Sequence, residues 1–226
     1  MPSYNIAEKF VSINGEGRRA GQLAVFIRFF GCNLRCSYCD TAWAWPDNIP
    51  TNGPGEQLSN DEIYQFIKQS KVRNVTLTGG EPLRQPHILT LLEQLAADKD
   101  LFVEIETNGS QPLGPVLALA NRPALTVDYK LPGSGMEEKM RPQELTLLDK
   151  QDVVKFVCGS PADLQRAEQI IRQLRLIDKV GVYLSPVWGQ IEPAAMVEFM
   201  RQKQLNGVNL QLQLHKFIWP PEARGV

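Results

Sequence analysis

Apolar positions along the chain follow two alternating patterns. Short runs rich in Val, Ile, Leu and Phe occur at 23–30, 74–78, 101–106, 125–128, 153–157, 180–184 and 209–214. Each is bounded by Gly, Pro or Asp and is too short for a stable helix, so each predicts a buried strand. Between them the spacing changes to three and four. Ile63, Phe66 and Ile67 predict a helix over 60–70, and Ile88, Leu91, Leu92 and Leu95 one over 85–97. Leu164, Ala167, Ile170, Ile171 and Leu174 predict a third over 161–175, with Ser160 as N-cap and Pro161 at the first helical position. Met196, Phe199 and Met200 form the core face of a fourth over 193–203.

Alternation of strand and helix predicts an α/β fold with about six to seven mainly parallel strands and helices outside, curved into a barrel or partial (β/α) barrel, or left open. On such sheets ligands bind at the carboxyl ends of the strands. Residues 40–58, with Pro46, Pro50 and Pro54, and residues 131–143, with a Pro-Gly-Ser-Gly run, read as loops rather than interdomain linkers. No internal repeat is present, and the prediction is one domain over 1–226.

Composition adds three exclusions. Lys+Arg 24 against Asp+Glu 25 gives a net charge of -1, which supplies no global attraction to nucleic acid. No apolar run approaches the roughly 20 residues of a membrane span, and the opening MPSYNIAEKF lacks the features of a signal peptide, so the expected location is cytoplasmic. The 4 cysteines are too few for a disulfide scaffold, and three of them, Cys32, Cys36 and Cys39, are clustered behind the first long strand. In a reducing compartment such clustering points to metal or redox chemistry.

The number of thiols bears on the chemistry. A structural zinc site takes four protein ligands, and a [4Fe–4S] cluster held by three cysteines keeps one iron open to another ligand. A zinc site completed by His87 or His215, a thiol cluster without metal, and Cys158 as a fourth ligand are the competing readings; Cys158 ends the apolar run KFVC, where cysteine behaves as a small hydrophobe. The second strand runs into Thr78-Gly79-Gly80-Glu81-Pro82. Its glycines allow close backbone approach and its carboxylate suits a cationic group, although a tight turn into a helix starting near Pro82 explains it equally. Glu106-Thr107-Asn108-Gly109 follows the third strand, where Glu106 and Asn108 suit ribose hydroxyls or form a plain Asn-Gly turn.

CxxxCxxC behind a strand, with Tyr38 before the last cysteine, resembles the radical S-adenosylmethionine superfamily. The resemblance implies that Cys32, Cys36 and Cys39 hold a [4Fe–4S] cluster whose remaining iron takes the amino and carboxylate groups of S-adenosylmethionine. It implies further cofactor contacts at Tyr38, Gly80, Glu81, Glu106, Asn108, Lys130 and Ser185. Four more segments narrow it: Phe10–Gly17 (FVSINGEG), AVFIRFFGC up to the first cysteine, Cys39-Asp40-Thr41, and the closing LQLHKFIWPPEARGV. With them the chain resembles the 7-carboxy-7-deazaguanine synthases from residue 10 onward. That family rearranges 6-carboxy-5,6,7,8-tetrahydropterin to 7-carboxy-7-deazaguanine with loss of ammonia, for 7-deazapurine and queuosine biosynthesis. Implied by the same resemblance are substrate contacts at Ile13, Asn14, Gly15, Arg28, Thr78 and Pro221, and Mg²⁺ on Thr41. So are a flavodoxin or ferredoxin as reductant and a homodimer, while the balanced charge without a basic run and the lack of an apolar span lead to the expectation of no direct contact with nucleic acid or membrane. Arg28 has an independent argument, because an arginine inside AVFIRFF is a costly charge unless it has a function.

The chain departs from the family pattern in places. Asn14 stands where Gln is usual, and Asp128-Tyr129-Lys130 where many relatives have Ser-Pro-Lys. Other readings are a glycyl-radical-activating enzyme, a non-catalytic zinc or iron–sulfur module, and an enzyme acting directly on tRNA. Cys39-Asp40-Thr41, Ile13–Gly17 and HKFIW argue against the first.

Overall fold

The computed structural model describes residues 2–45 and 55–226; Pro46, Pro50 and Pro54 of the loop expected at 40–58 lie outside the described residues. Its strands are β1 (Ser3–Ile13), β2 (Leu23–Phe29), β3 (Glu56–Ser59), β4 (Asn74–Gly79), β5 (Phe102–Thr107), β6 (Ala124–Tyr129), β7 (Val153–Cys158), β8 (Gly181–Pro186) and β9 (Val208–Leu210). The helices are α1 (Asn60–Ser70), α2 (Ile88–Ala97), α3 (Gly114–Leu117), α4 (Pro161–Leu174), α5 (Pro193–Gln202) and α6 (His215–Ile218). One 9-stranded sheet has the order β3-β1-β2-β4-β5-β6-β7-β8-β9. From β2 onward the neighbours are parallel, and each of these strands overlaps a run predicted from the sequence. The sheet does not close, since β3 and β9 end the order without pairing: it is a partial barrel.

Three boundaries differ from expectation. β1 and β3 were not predicted; they add an antiparallel edge beside β2. The last strand stops at Leu210 rather than 214. The second helix starts at Ile88, and a separate 3-10 turn occupies Pro82–Arg84. The caps are as expected from chemistry. Ser59 accepts from the Glu62 amide while Glu62 reaches back to the Ser59 amide, and Ser160 accepts from the Asp163 amide with Pro161 next.

The two faces of the parallel strands differ in kind. On the helix side Val25, Ile27, Phe29, Val75, Leu77, Ile105, Val127 and Phe156 join Ile63, Ile67, Leu91, Leu92 and Leu95 in one core. Alternate positions, Arg28, Thr76, Thr78, Glu104, Glu106, Thr126, Asp128, Lys155 and Ser185, occupy the opposite face, as the period of two requires. The barrel interior is therefore polar. Into it reaches the turn between β1 and β2, residues 14–22. Asn14 Oδ1 accepts from Thr76 Oγ1 at 2.8 Å, and Gly17 exchanges hydrogen bonds with the Gln211 side chain at 2.8 and 2.9 Å. A Cβ on Gly17 would stand 3.0 Å from Glu104 Oε1, and Gly17 has φ +78, so both space and conformation select glycine there.

Glu104 carries a testable consequence. Burial pushes its carboxyl from 4.5 up to about 7, with the hydrogen bond from Thr126 opposing and the nearby Glu106 adding to the rise. Because the folded value is the higher one, the native state holds a proton that the unfolded chain has lost between pH 4.5 and 7. The contribution of this group to stability therefore falls as pH rises through that window, by up to about 3 kcal/mol, and is flat above it. Glu104→Gln is expected to remove this slope, measured as the difference in urea-unfolding free energy between variant and wild type from pH 4.5 to 8.

Candidate active site

A cavity of about 460 Å³ opens at the carboxyl ends of the parallel strands. Its first wall is the loop behind β2. Gly31, with φ +92, turns the chain out of the strand, and Cys32, Cys36 and Cys39 all line the cavity. The base of this loop is fixed by the Gly79-Gly80 pair. The Gly80 amide donates to Phe29 O at 3.0 Å and the Glu81 amide to Gly31 O at 2.8 Å. A Cβ on Gly80 would come within 2.0 Å of Gly31 O, so no other residue allows this approach.

Glu81 does not line the cavity. Its carboxylate is buried behind the wall, accepting from Thr107 Oγ1 and the Asn108 amide at 2.7 Å each and from the Leu83 amide at 2.9 Å. Burial raises its carboxyl above the usual range, while these donors oppose the rise. Its geometry ties the β4 loop to the β5 loop. Asn108, held in this way, directs Nδ2 to Cys32 Sγ at 3.6 Å and to Asn33 Oδ1 at 3.2 Å.

On the next strands Glu106, Asp128, Lys130 and Lys155 line the cavity. Asp128 Oδ2 lies 2.8 Å from Lys130 Nζ and 3.7 Å from Lys155 Nζ, and Lys155 reaches Glu16 at 3.1 Å. Burial works against both ammonium groups, but the facing carboxylates outweigh it and hold both above the usual lysine range. Asp128 Oδ1 is buried without a hydrogen-bond partner among the described residues. Tyr38 lines the cavity too, with its hydroxyl 3.4 Å from Val157 O and its ring 6.0 Å from the Lys130 ammonium.

Opposite, Arg28 and Thr78 stand side by side in register on β2 and β4, and both line the cavity. The charge of Arg28 is met by Glu8 on β1, whose Oε1 accepts from Nε at 2.8 Å. Thr41 lines the wall with Oγ1 3.6 Å from Cys39 Sγ. Gly15 lines the floor, packed so closely that a Cβ there would meet His215 Nδ1 at 2.2 Å. Ile13 lies behind the floor at the end of β1, and Asn14 is buried beside it with Nδ2 unpartnered among the described residues. Ser185 is also behind the wall, donating to Glu16 Oε1 at 2.9 Å. The cavity is covered by Pro221 and the residues after it, where the Arg224 guanidinium sits 3.5 Å from the centre of the Trp43 ring.

The residues the sequence reading did not single out are Glu8, Glu16, Asp128 and Lys155. The signal for two of them was available: Asp128 and Lys155 share the interior parity of Arg28 and Thr78 on strands already recognised. Glu16 lies inside the Phe10–Gly17 segment that narrows the resemblance, though without a role of its own, and nothing local marks Glu8.

The thiols suit an iron–sulfur cluster. Cys158 is fully buried in β7 and does not line the cavity, nor does His87, so neither completes a fourth position; His215 does line it, but on the floor with its Nδ1 packed against Gly15. Among the described residues no group of His, Cys, Asp and Glu is gathered closely enough to enclose a metal ion by itself. What remains is three soft donors on one wall with open space before them, the donor set of a cluster with one iron left for a ligand. Burial raises the Cys32 thiol and pushes Cys36 up to about 11, so loading the cluster displaces thiol protons.

Comparison with known proteins agrees. Residues 26–129 match the Radical SAM superfamily. A protein named 7-carboxy-7-deazaguanine synthase from Clostridium acetobutylicum is 50% identical over 224 residues, covering 99% of this chain and 100% of that one. Another of the same name, from Chlorobaculum tepidum, is 37% identical and covers 98% of this chain and 97% of its own. The crystal structure of QueE from Escherichia coli shares the fold with a TM-score of 0.70 at 22% identity, covering 93% of each chain. The thiol loop, the polar barrel interior and full-length likeness at this identity lead to one conclusion: the chain belongs to the 7-carboxy-7-deazaguanine synthase family of the radical S-adenosylmethionine superfamily.

Proposed function

We propose that this enzyme converts 6-carboxy-5,6,7,8-tetrahydropterin to 7-carboxy-7-deazaguanine with loss of ammonia, using the residues assembled around the cavity. The observation that carries the residue assignment is the joint lining of one cavity by Cys32, Cys36, Cys39, Arg28 and Thr78. When bound, a [4Fe–4S] cluster held by Cys32, Cys36 and Cys39, given one electron by the reductant, would supply with S-adenosylmethionine the radical chemistry that the reaction needs. The protein supplies position and exclusion of water.

Arg28 receives the substrate carboxylate through its terminal nitrogens, since Glu8 occupies Nε. Thr41 is the residue that would hold Mg²⁺, an ion that commonly uses few protein ligands and would help hold the substrate carboxylate. Thr78 and Gly15 bound the pterin ring, and Asn14, buried behind Gly15 with its backbone groups bonded to Gln22 and Gly21, supports that edge from beneath. Pro221 covers the substrate from the carboxyl-terminal side. Tyr38, Gly80, Glu106, Asn108 and Lys130 surround S-adenosylmethionine. Glu81 and Ser185 act from behind the wall, Glu81 by holding Asn108 and Ser185 by holding Glu16. The enzyme works in the cytoplasm as a homodimer and draws electrons from a flavodoxin or ferredoxin. Among the described residues no helix is long and apolar enough to cross a membrane.

The test is anaerobic turnover by the cluster-loaded enzyme with dithionite, S-adenosylmethionine, Mg²⁺ and the carboxytetrahydropterin. The expected result is 7-carboxy-7-deazaguanine by mass spectrometry. Deoxyadenosine without that product would overturn the substrate assignment and favour an activating enzyme acting on a protein partner.

A further inference from the structure

The turn over residues 14–22 crosses the polar interior from the β1–β2 side to the β8–β9 side. Its hold on the far side is uneven in character. Gly15 O accepts from the Leu214 amide at 3.1 Å, and Gly17 exchanges hydrogen bonds with Gln211. Glu16 is the one charged residue of the turn that points at the cavity floor. Its Oε1 accepts from Ser185 at 2.9 Å, and its Oε2 lies 3.1 Å from Lys155 Nζ and 3.3 Å from Gln213 Nε2. Lys155 and Glu16 are only 8% and 10% exposed, so the pair is buried on both sides.

We infer that Lys155 is a positioning residue of the substrate floor: its buried ammonium holds the Glu16 carboxylate, and through it the Asn14–Gly15 backbone, inside the barrel. Other charges facing this pair do not substitute for it. Asp128 and Glu106 act on Lys155 and are themselves acidic, Glu104 adjoins Gly17 and is acidic too, and His215, against Gly15 and outside the hydrogen bonds that Glu16 makes, is pushed by burial below the usual histidine range. Burial alone would raise the Glu16 carboxyl; the Lys155 ammonium is the strongest of the groups that bring it below the usual range. Without Lys155 the carboxylate would be a buried charge served by neutral donors only, and its escape toward water withdraws the turn. The pair reaches the residues around S-adenosylmethionine only indirectly, through Asp128 to Lys130 and through Ser185, so its larger effect is expected on the pterin.

The inference rests on the substrate reading above, and its test separates the two. The cluster-loaded wild type, Lys155→Met, Lys155→Arg, Glu16→Gln and the double variant Lys155→Met/Glu16→Gln are compared. KM for the carboxytetrahydropterin and Kd for S-adenosylmethionine are measured on each. The expected result for Lys155→Met is a KM raised at least about tenfold with Kd for S-adenosylmethionine within about twofold of wild type. Lys155→Arg is expected to recover most of the loss. The double variant is expected to bind the pterin better than Lys155→Met alone, because removing both charges leaves none unpaired. A double variant no better than Lys155→Met would overturn the inference and make Lys155 a direct substrate contact. Equal loss of pterin and S-adenosylmethionine affinity would also overturn it. A wild type that forms no product from the pterin would sink the substrate reading instead.

Discussion

Cys36→Ala is expected to abolish product formation and S-adenosylmethionine cleavage together, while leaving the fold intact. Cys36 is one of only three thiols on the cavity wall, and the fourth cysteine is buried in β7 facing the helix-side core, so no other thiol can take its place. A cluster with two protein ligands is labile, and the iron that binds the cofactor is lost with it. The structural cost is small by comparison. Cys36 borders open space, so its truncation removes contacts on one side only and should cost no more than about 1–2 kcal/mol. The check combines iron and sulfide content, the electron paramagnetic resonance signal of the reduced sample, deoxyadenosine yield and Tm. Cofactor cleavage by the variant at even a tenth of the wild-type rate would contradict the assignment of the three thiols.

The second large effect concerns Arg28. Arg28→Met is expected to lower kcat/KM by about a hundredfold or more, mainly through KM, because truncating one side of a buried charge-assisted contact costs about 2–5 kcal/mol. It also strands Glu8, which lies across the β1–β2 ladder from it and is 17% exposed. Partial exposure of both partners reduces the stability loss to about 2 kcal/mol, below the range for a fully buried pair. Arg28→Met/Glu8→Gln separates the two effects, since it should regain stability without regaining turnover. Arg28→Lys should stay folded but bind the pterin poorly, because an ammonium cannot engage Glu8 and a carboxylate in the same plane. Chemical denaturation and steady-state kinetics on the same preparations decide this. Full turnover by the double variant would remove Arg28 from the substrate site.

Legibility of this chain from its sequence divides along the two faces of the sheet. The helix-side positions are apolar in every parallel strand, and they are the main reason that 74–78, 153–157 and 180–184 are recognisable as strands. The motifs that change direction at strand ends, Gly79-Gly80 and Asn108-Gly109, are equally visible. The interior face is legible only in part: Arg28, Thr78 and Glu106 stand out as a lone charge or beside a motif, whereas the roles of Asp128 and Lys155, though their parity is readable, come only from their partners across the barrel. Lys155 within KFVC resembles a stray charge in an apolar run until β7 is set opposite Glu16, 139 residues earlier. β1 was missed for a related reason: at an antiparallel edge its burial does not alternate, and Glu8 and Lys9 interrupt its apolar pattern. β3 has only 4 residues, too few to carry a period. Glu81 shows a different limit. The sequence predicts a carboxylate beside two glycines but not which way it points, and three internal donors turn it away from the cavity.

The way residues 14–22 are held also bears on how the molecule is built in time. The hydrogen bonds between Gly17 and Gln211 join positions 194 apart in the chain, and the Leu214–Gly15 bond spans slightly more. Contacts of such separation form late, since a long loop must close before they return any energy. The parallel strands can pair successively as they are made, each with the one before it. The floor cannot lock until residues 208–215 have joined the sheet. A partly folded chain would thus already carry its cysteine loop, with the interior beneath it open to water. Completion of the pocket and completion of folding are the same event.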